Sequence, residues 1–292
     1  MSALAVIRPG PLALLQDSGR PGLAGIGVTR SGAADRGAFL AGAALVGNDA
    51  AGSQAAVEIL LGGLVFEVVE GPVRLAITGA PCPVRVGEIT LPYGRAVEVG
   101  AGMRVGVGMA PRGLRCYLSV AGGLAVEAEF GSRSRDTLAG LGPEPLQAGI
   151  LLPVGTPYAG SPSASPITAA VAAPEWTQPT VLAIQPGPRT DWLADPVALA
   201  GDWQVSASSD RVGVRLLGGP LAWAPARRGT ELPSEPVVRG AIQVPPNGLP
   251  VVFGPDHPTT GGYPVVAVLT ESASDRLAQV RPGEAVTLRW RR

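Results

Sequence analysis

The chain has no lysine: all 23 basic residues among its 292 are arginine. It therefore cannot carry biotin, which is attached through a lysine amine. It cannot form a lysine Schiff base, and it has no lysine to complete a phosphate-binding Walker loop. Histidine is almost as scarce. His257 is the single one, which excludes a multi-histidine metal centre, and no metal is expected. With no G-x-S-x-G turn to present a serine, a Ser-His-Asp triad is also disfavoured. Two cysteines, Cys82 and Cys116, cannot form a disulfide framework and read as small core hydrophobes. Aromatics are 4% of the chain, so the core must be built from Val, Leu, Ile and Ala. The 23 basic and 23 acidic residues cancel, leaving no electrostatic reason to bind nucleic acid or an anionic membrane. No apolar run reaches the ~18–20 residues of a membrane helix. Arg8, Pro9 and Pro11 interrupt the N-terminal apolar residues, unlike a secretory signal. The expected location is the cytoplasm.

Glycine (41) and proline (30) are plentiful, and they lie between short apolar runs. That spacing predicts many strands joined by tight turns. Strands are expected at 65–69, 73–78, 96–99, 104–107, 115–120, 181–184, 203–206, 241–244, 251–253, 265–269 and 285–288. Helix is expected over 35–46, with Asp35 as N-cap and Gly47 as stop, and over 272–279, with Ser272 as cap. A short helical turn is expected at 190–194. Residues 158–174 are rich in Ser, Pro and Ala and read as a linker or surface loop. It separates a first lobe, 1–157, from a second, 175–292.

Chemistry is expected in polar, glycine-rich loops. Gln16–Gly22 carries Arg20, and Gly27–Asp35 carries Ser31 and Asp35. These loops suit either an anion-binding nest with Arg20 or Arg30, or a tight turn followed by a helix capped by Asp35. Gly131–Asp136 is a second polar loop. Arg211, Gly213 and Arg215 would share one face of an extended segment, as an anion clamp or a salt-bridge ladder. The densest cluster joins Ser234 and Gln243 to Asp256, His257, Thr259, Thr260 and Tyr263, with Gly261 and Gly262 permitting close approach of a ligand. A functional cleft and an elaborate hairpin turn both fit it.

Read in order, QDSGRPG (16–22), SGAADR (31–36), ALVGN (44–48), GAIQVP (240–245) and DHPTTGGYP (256–264) resemble the motifs of the 5-oxoprolinase C-subunit family. That family is also described as allophanate hydrolase subunit 2 or biotin-dependent carboxyltransferase. ITGAP (77–81), RCYLSVAGG (115–123), GSRSRDTLAGLG (131–142), SDRVGVRL (209–216) and SEPV (234–237) extend the resemblance over nearly the whole chain. Gly42, Val212, Val214, Leu249 and Pro258 depart from the family's usual residues.

The resemblance implies a mostly β protein of two cyclophilin-like β-barrel lobes with a few short helices. It implies a partner, a KipI-like (allophanate hydrolase subunit 1) chain, in a heterotetramer. The substrate would be a small amide such as 5-oxoproline, allophanate or urea. Either carboxybiotin carried by another protein, or ATP and Mg used by the complex, would drive the reaction. Asp256, His257, Thr260 and Gln243 are then the expected catalytic residues. Ser234, Thr259, Tyr263, Arg211, Arg20, Ser31 and Asp35 are expected to bind substrate, the last three at a second cleft or the partner surface. Two readings compete with an enzyme subunit: a regulatory protein that antagonises a KipI-like sensor-kinase inhibitor, and a barrel that only binds peptide.

Overall fold

A computed structural model describes residues 2–157 and 170–291. The chain forms two compact units, neither of them a single stretch of sequence. The first comprises the described residues of Met1–Arg20, Asp35–Asp136 and Gly140–Glu175; the second comprises those of Pro21–Ala34, Thr137–Ala139 and Trp176–Arg292. Of the segment read as a linker, residues 158–169 lie outside the described residues.

The first unit is built from two sheets. One runs, in spatial order, Leu151–Pro153, Ala3–Arg8, Val65–Val69, Arg104–Val107, Val84–Val86 and Ile89–Leu91. The other runs Leu12–Gln16, Ala56–Leu60, Arg115–Val120, Val73–Gly79 and Ala96–Val99. Alternation decides what each face buries. Val73, Leu75 and Ile77 join Cys116, Leu118 and Val120 in a core shared with Leu4, Phe66 and Val105 of the other sheet.

Residues of opposite parity on the second sheet are covered by a helix, α1 (Arg36–Val46). The Asp35 carboxylate accepts from the Ala38 amide at 2.9 Å, and Gly47, at φ 80°, closes the helix in the left-handed region. Gly42 lets α1 come close: a Cβ there would sit 2.5 Å from Ser119 Oγ and 2.9 Å from Thr78 Oγ1. Thr78 Oγ1 donates to the Ala38 carbonyl at 2.6 Å across the same contact.

The second unit is a closed seven-stranded barrel: Thr180–Pro186, Val265–Leu269, Ala241–Gln243, Val251–Phe253, Gly213–Leu217, Gly201–Val205 and Ala285–Trp290. The last strand returns to the first by a parallel pairing. Leu182, Ile184, Ile242, Val252, Val266 and Leu288 fill it. A helix, α2 (Glu271–Leu277), follows directly from the strand Val265–Leu269. Its cap is Thr270 rather than Ser272, because Thr270 still has extended backbone and its hydroxyl meets the Ala273 amide at 3.2 Å. A two-stranded ribbon, Glu235–Pro236 with Thr260–Gly261, lies outside the barrel. The fold is mostly β with two short α-helices among the described residues, as expected. No helix among them is long and apolar enough to cross a membrane.

Candidate functional site: a buried carboxylate and an open cleft

The motif 256–264 contributes to two different places in the second unit. Its beginning is buried. Asp256 is fully enclosed, as is Ser31, and Arg211 nearly so. Arg211 donates to Asp256 through Nε at 2.8 Å and Nη2 at 3.1 Å, and Nη2 also reaches the Gly32 carbonyl at 2.8 Å. Ser31 Oγ donates to Oδ1 at 2.6 Å, and Thr137 donates to Oδ2 from its amide at 2.9 Å and its hydroxyl at 2.8 Å.

Backbone bonds place this group: the Gly254 amide meets the Val212 carbonyl at 2.9 Å, and the Asp256 amide meets the Arg211 carbonyl at 3.2 Å. Gly254 is required there, since a side chain would strike the Arg211 carbonyl. Ser31 sits at φ 53°, a backbone conformation uncommon outside glycine, and its bond to Asp256 helps to hold it. Burial alone would raise the Asp256 pKa. The charge of Arg211 and the hydrogen bonds from Arg211, Ser31 and Thr137 outweigh burial and hold it below the usual carboxylate range. Donated hydrogen bonds occupy both oxygens, so the carboxylate is arranged to hold segments 21–34, 137–139 and 211–213 together.

His257 is also buried, beside Phe253. Its Nδ1 lies 2.6 Å from the Pro258 carbonyl, an acceptor, so this hydrogen bond is donated by a proton on Nδ1.

The end of the motif is open. Gly262 and Tyr263 line a cleft of about 740 Å³ with Leu221, Trp223, Arg228, Thr230, Glu231, Leu232 and Pro246. That volume is within the ordinary range of small-molecule sites. One wall is rigid: Trp223 donates from Nε1 to the Val244 carbonyl at 3.1 Å and meets Trp192 edge-on at 5.3 Å. Gln243, buried beneath the turn, donates from Nε2 to the Tyr263 carbonyl at 2.8 Å. The Thr259 carbonyl accepts from the Val237 amide, and exposed Thr260 pairs with Pro236 in the ribbon, which begins beside Ser234. Arg189 and Glu235 form a bidentate ion pair at the base of the ribbon. Tyr263 is thus the expected binding residue that reaches the cleft, while Gln243, Thr259 and Thr260 set the turn that carries it.

The remaining expected residues lie in the first unit or point elsewhere. Arg20 is buried; Nη2 donates to the Ser134 carbonyl, and Nε and Nη1 meet no partner. Close to it in sequence, Asp17 is buried by neutral donors: Ser132 Oγ at 2.7 Å, Ser134 Oγ at 2.6 Å, and the Gly19 and Arg133 amides, each at 2.7 Å. Asp35 caps α1, and its amide meets the Tyr117 hydroxyl, which in turn donates to Glu58 at 2.8 Å. Arg211 and Arg215 form no clamp, because the first is buried and the second exposed. Sequence reasoning did not single out Thr137, Trp223 or Arg228. Thr137 stands 119 residues from Asp256, and the other two lie in a stretch without a motif.

The second unit is a β-barrel with a cleft of small-molecule size, and comparison with known proteins makes the assignment narrower. The chain belongs to the carboxyltransferase family described as "Carboxyltransferase domain, subdomain A and B", whose model matches residues 26–290. It is 35% identical to the 5-oxoprolinase C subunit of Escherichia coli over 97% of this chain and 89% of that protein. It is 30% identical to a putative urea carboxylase of Emericella nidulans, over 99% of this chain but 24% of that one. Among solved structures, the K. lactis urea amidolyase superposes with a TM-score of 0.86 at 27% identity, over 98% of this chain and 18% of its own. TTHA0988 superposes at 0.82 and 31% identity, over 99% of this chain and 55% of its own. The chain therefore spans about half of TTHA0988 and under a fifth of the amidolyase.

Proposed function

We propose that this chain is one subunit of an enzyme complex acting on a small amide, and that the cleft beside Tyr263 receives the substrate. The observation that carries this reading is the position of Gly262 and Tyr263, the end of the family-like motif, in the wall of the cleft. The relatives are a 5-oxoprolinase subunit and urea-transforming enzymes, whose substrates share a carbonyl bonded to nitrogen.

Opening a lactam and carboxylating a urea nitrogen both require charge on a carbonyl oxygen to be stabilised, and preorganised donors do this best. Tyr263 Oη, the Thr230 hydroxyl and the Gly262 amide are available from the cleft lining. Asp256, Arg211 and Ser31 are positioning residues, and so are Gln243, Thr259 and Thr260. His257 and Ser234 support the same turn and ribbon. Arg20 and Asp35 order the first unit.

A partner subunit of the KipI-like type completes the enzyme in the cytoplasm, as a heterotetramer. Any carboxybiotin arrives on another protein, because this chain has no lysine to bear it. When bound, that group would supply the carboxyl to be transferred, and Trp223 and Leu221 of the cleft would pack against the hydrocarbon and sulfur side of its bicyclic ring. In the hydrolytic version, ATP and Mg act in the complex.

The test is co-expression with the partner subunits, followed by assays of ATP-dependent 5-oxoproline cleavage and biotin-dependent urea carboxylation. Turnover is expected from the assembled complex and not from the isolated chain. Robust turnover by the isolated chain, or none by the complex with either substrate, would contradict the reading.

A further inference from the structure

Several guanidinium groups of the second unit differ in what they already hold. Arg227 pairs with Asp191 at 2.7 Å and lies 5.4 Å from the centre of the Trp192 ring. Arg239 pairs with Asp275 at 2.6 Å and donates to the Ala34 carbonyl at 2.6 Å. Arg189 pairs with Glu235. Arg228 lines the cleft and has no carboxylate partner among the described residues; its Nε makes a long 3.4 Å bond to the Trp223 carbonyl. That single contact tethers the guanidinium to the rigid wall and leaves its two Nη groups, the end-on fork that matches a carboxylate, for another acceptor. The other charged lining residue is Glu231. A carboxylate there suits an amide N–H and disfavours a second carboxylate on the same ligand.

We propose that Arg228 is a specificity-determining residue: it selects amide substrates that carry one carboxylate over neutral amides of the same size. This inference rests on the assignment of the cleft as the substrate site.

The test uses the co-expressed complex with wild-type chain, Arg228→Gln and Arg228→Glu. Its probes are 5-oxoproline and the neutral lactam 2-pyrrolidinone, each measured by equilibrium binding and by turnover. Wild type is expected to bind 5-oxoproline more tightly. Arg228→Gln is expected to raise KM and Kd for 5-oxoproline roughly ten- to a hundredfold, the range of a hydrogen bond to a charged group, with kcat little changed. Arg228→Glu is expected to weaken it further, and binding of 2-pyrrolidinone should be the same in all three. Melting temperatures should not differ, because the side chain is exposed. Equal affinity of wild type and Arg228→Gln for 5-oxoproline would overturn the inference. A carboxylate preference that Arg228→Gln abolishes, in a complex without turnover, would uphold the inference and remove the enzymatic reading alone.

Discussion

Asp256 and Tyr263 belong to one short motif and have opposite circumstances. Asp256 is sealed from solvent with both carboxylate oxygens occupied, whereas Tyr263 is 46% exposed and faces a cleft. A carboxylate saturated by an arginine, two hydroxyls and an amide has been built to stay ionised and still. A phenol on an open wall, set by a buried Gln243 beneath it, has been built to meet something else. The stretch from Asp256 to Pro264 thus has two settings, one enclosed and one open. The first part fastens the turn to the barrel and the last part lines the cleft.

The largest effect should come from breaking the fastening. Asp256→Asn leaves the Arg211 charge buried without its counterion, which costs about 3–5 kcal/mol for a pair of this kind. Chemical denaturation should show a loss of that size, and Arg211→Met combined with Asp256→Asn should recover part of it. A loss below about 1 kcal/mol would mean that the pair is not a fastening.

Acid should expose the same difference. The folded Asp256 pKa lies below its unfolded value of about 3.9. Its contribution is therefore complete above that value and is lost as pH falls through the folded pKa. Below about pH 4, wild-type stability should fall more steeply than that of Asp256→Asn. Parallel acid limbs in melting curves would contradict this.

A smaller effect should follow from disturbing the support between the two ends. A Cβ at Gly261 would lie 2.6 Å from Gln243 Nε2, so Gly261→Ala must displace the side chain that anchors the Tyr263 carbonyl. A stability loss of about 1–3 kcal/mol is expected, as for other overpacked buried sites. In the complex, turnover should fall more than the thermal melt alone explains.

Much of the fold could be read from local pattern. Val65–Val69 and Arg104–Val107 alternate between buried and more exposed positions and match their expected limits. Asp35 and Gly47 mark α1 because capping is a property of a few adjacent residues. The strand Ala56–Leu60 escaped, since it is almost wholly buried and Glu58 interrupts the apolar run. Glu58 is tolerated there only because Tyr117 and Arg115, far along the chain, meet it. The site divided in the same way. Tyr263, Gln243 and Asp256 stand in a polar, glycine-rich setting, but that Asp256 is enclosed depends on Ser31, Thr137 and Arg211, whose approach no local spacing encodes. Trp223 and Arg228 carry no signature until the barrel brings Gly262 beside them.

The division of the motif is tested most directly by Tyr263→Ala in the co-expressed complex, with melting temperature and kcat/KM for 5-oxoproline measured on the same preparation. An exposed side chain outside the packed core should leave stability within about 0.5 kcal/mol of wild type when truncated. Loss of a donor to the developing oxyanion should lower kcat/KM by about a hundredfold. Unchanged stability with wild-type kcat/KM would contradict the account, because the cleft beside Tyr263 would then not be where the reaction occurs.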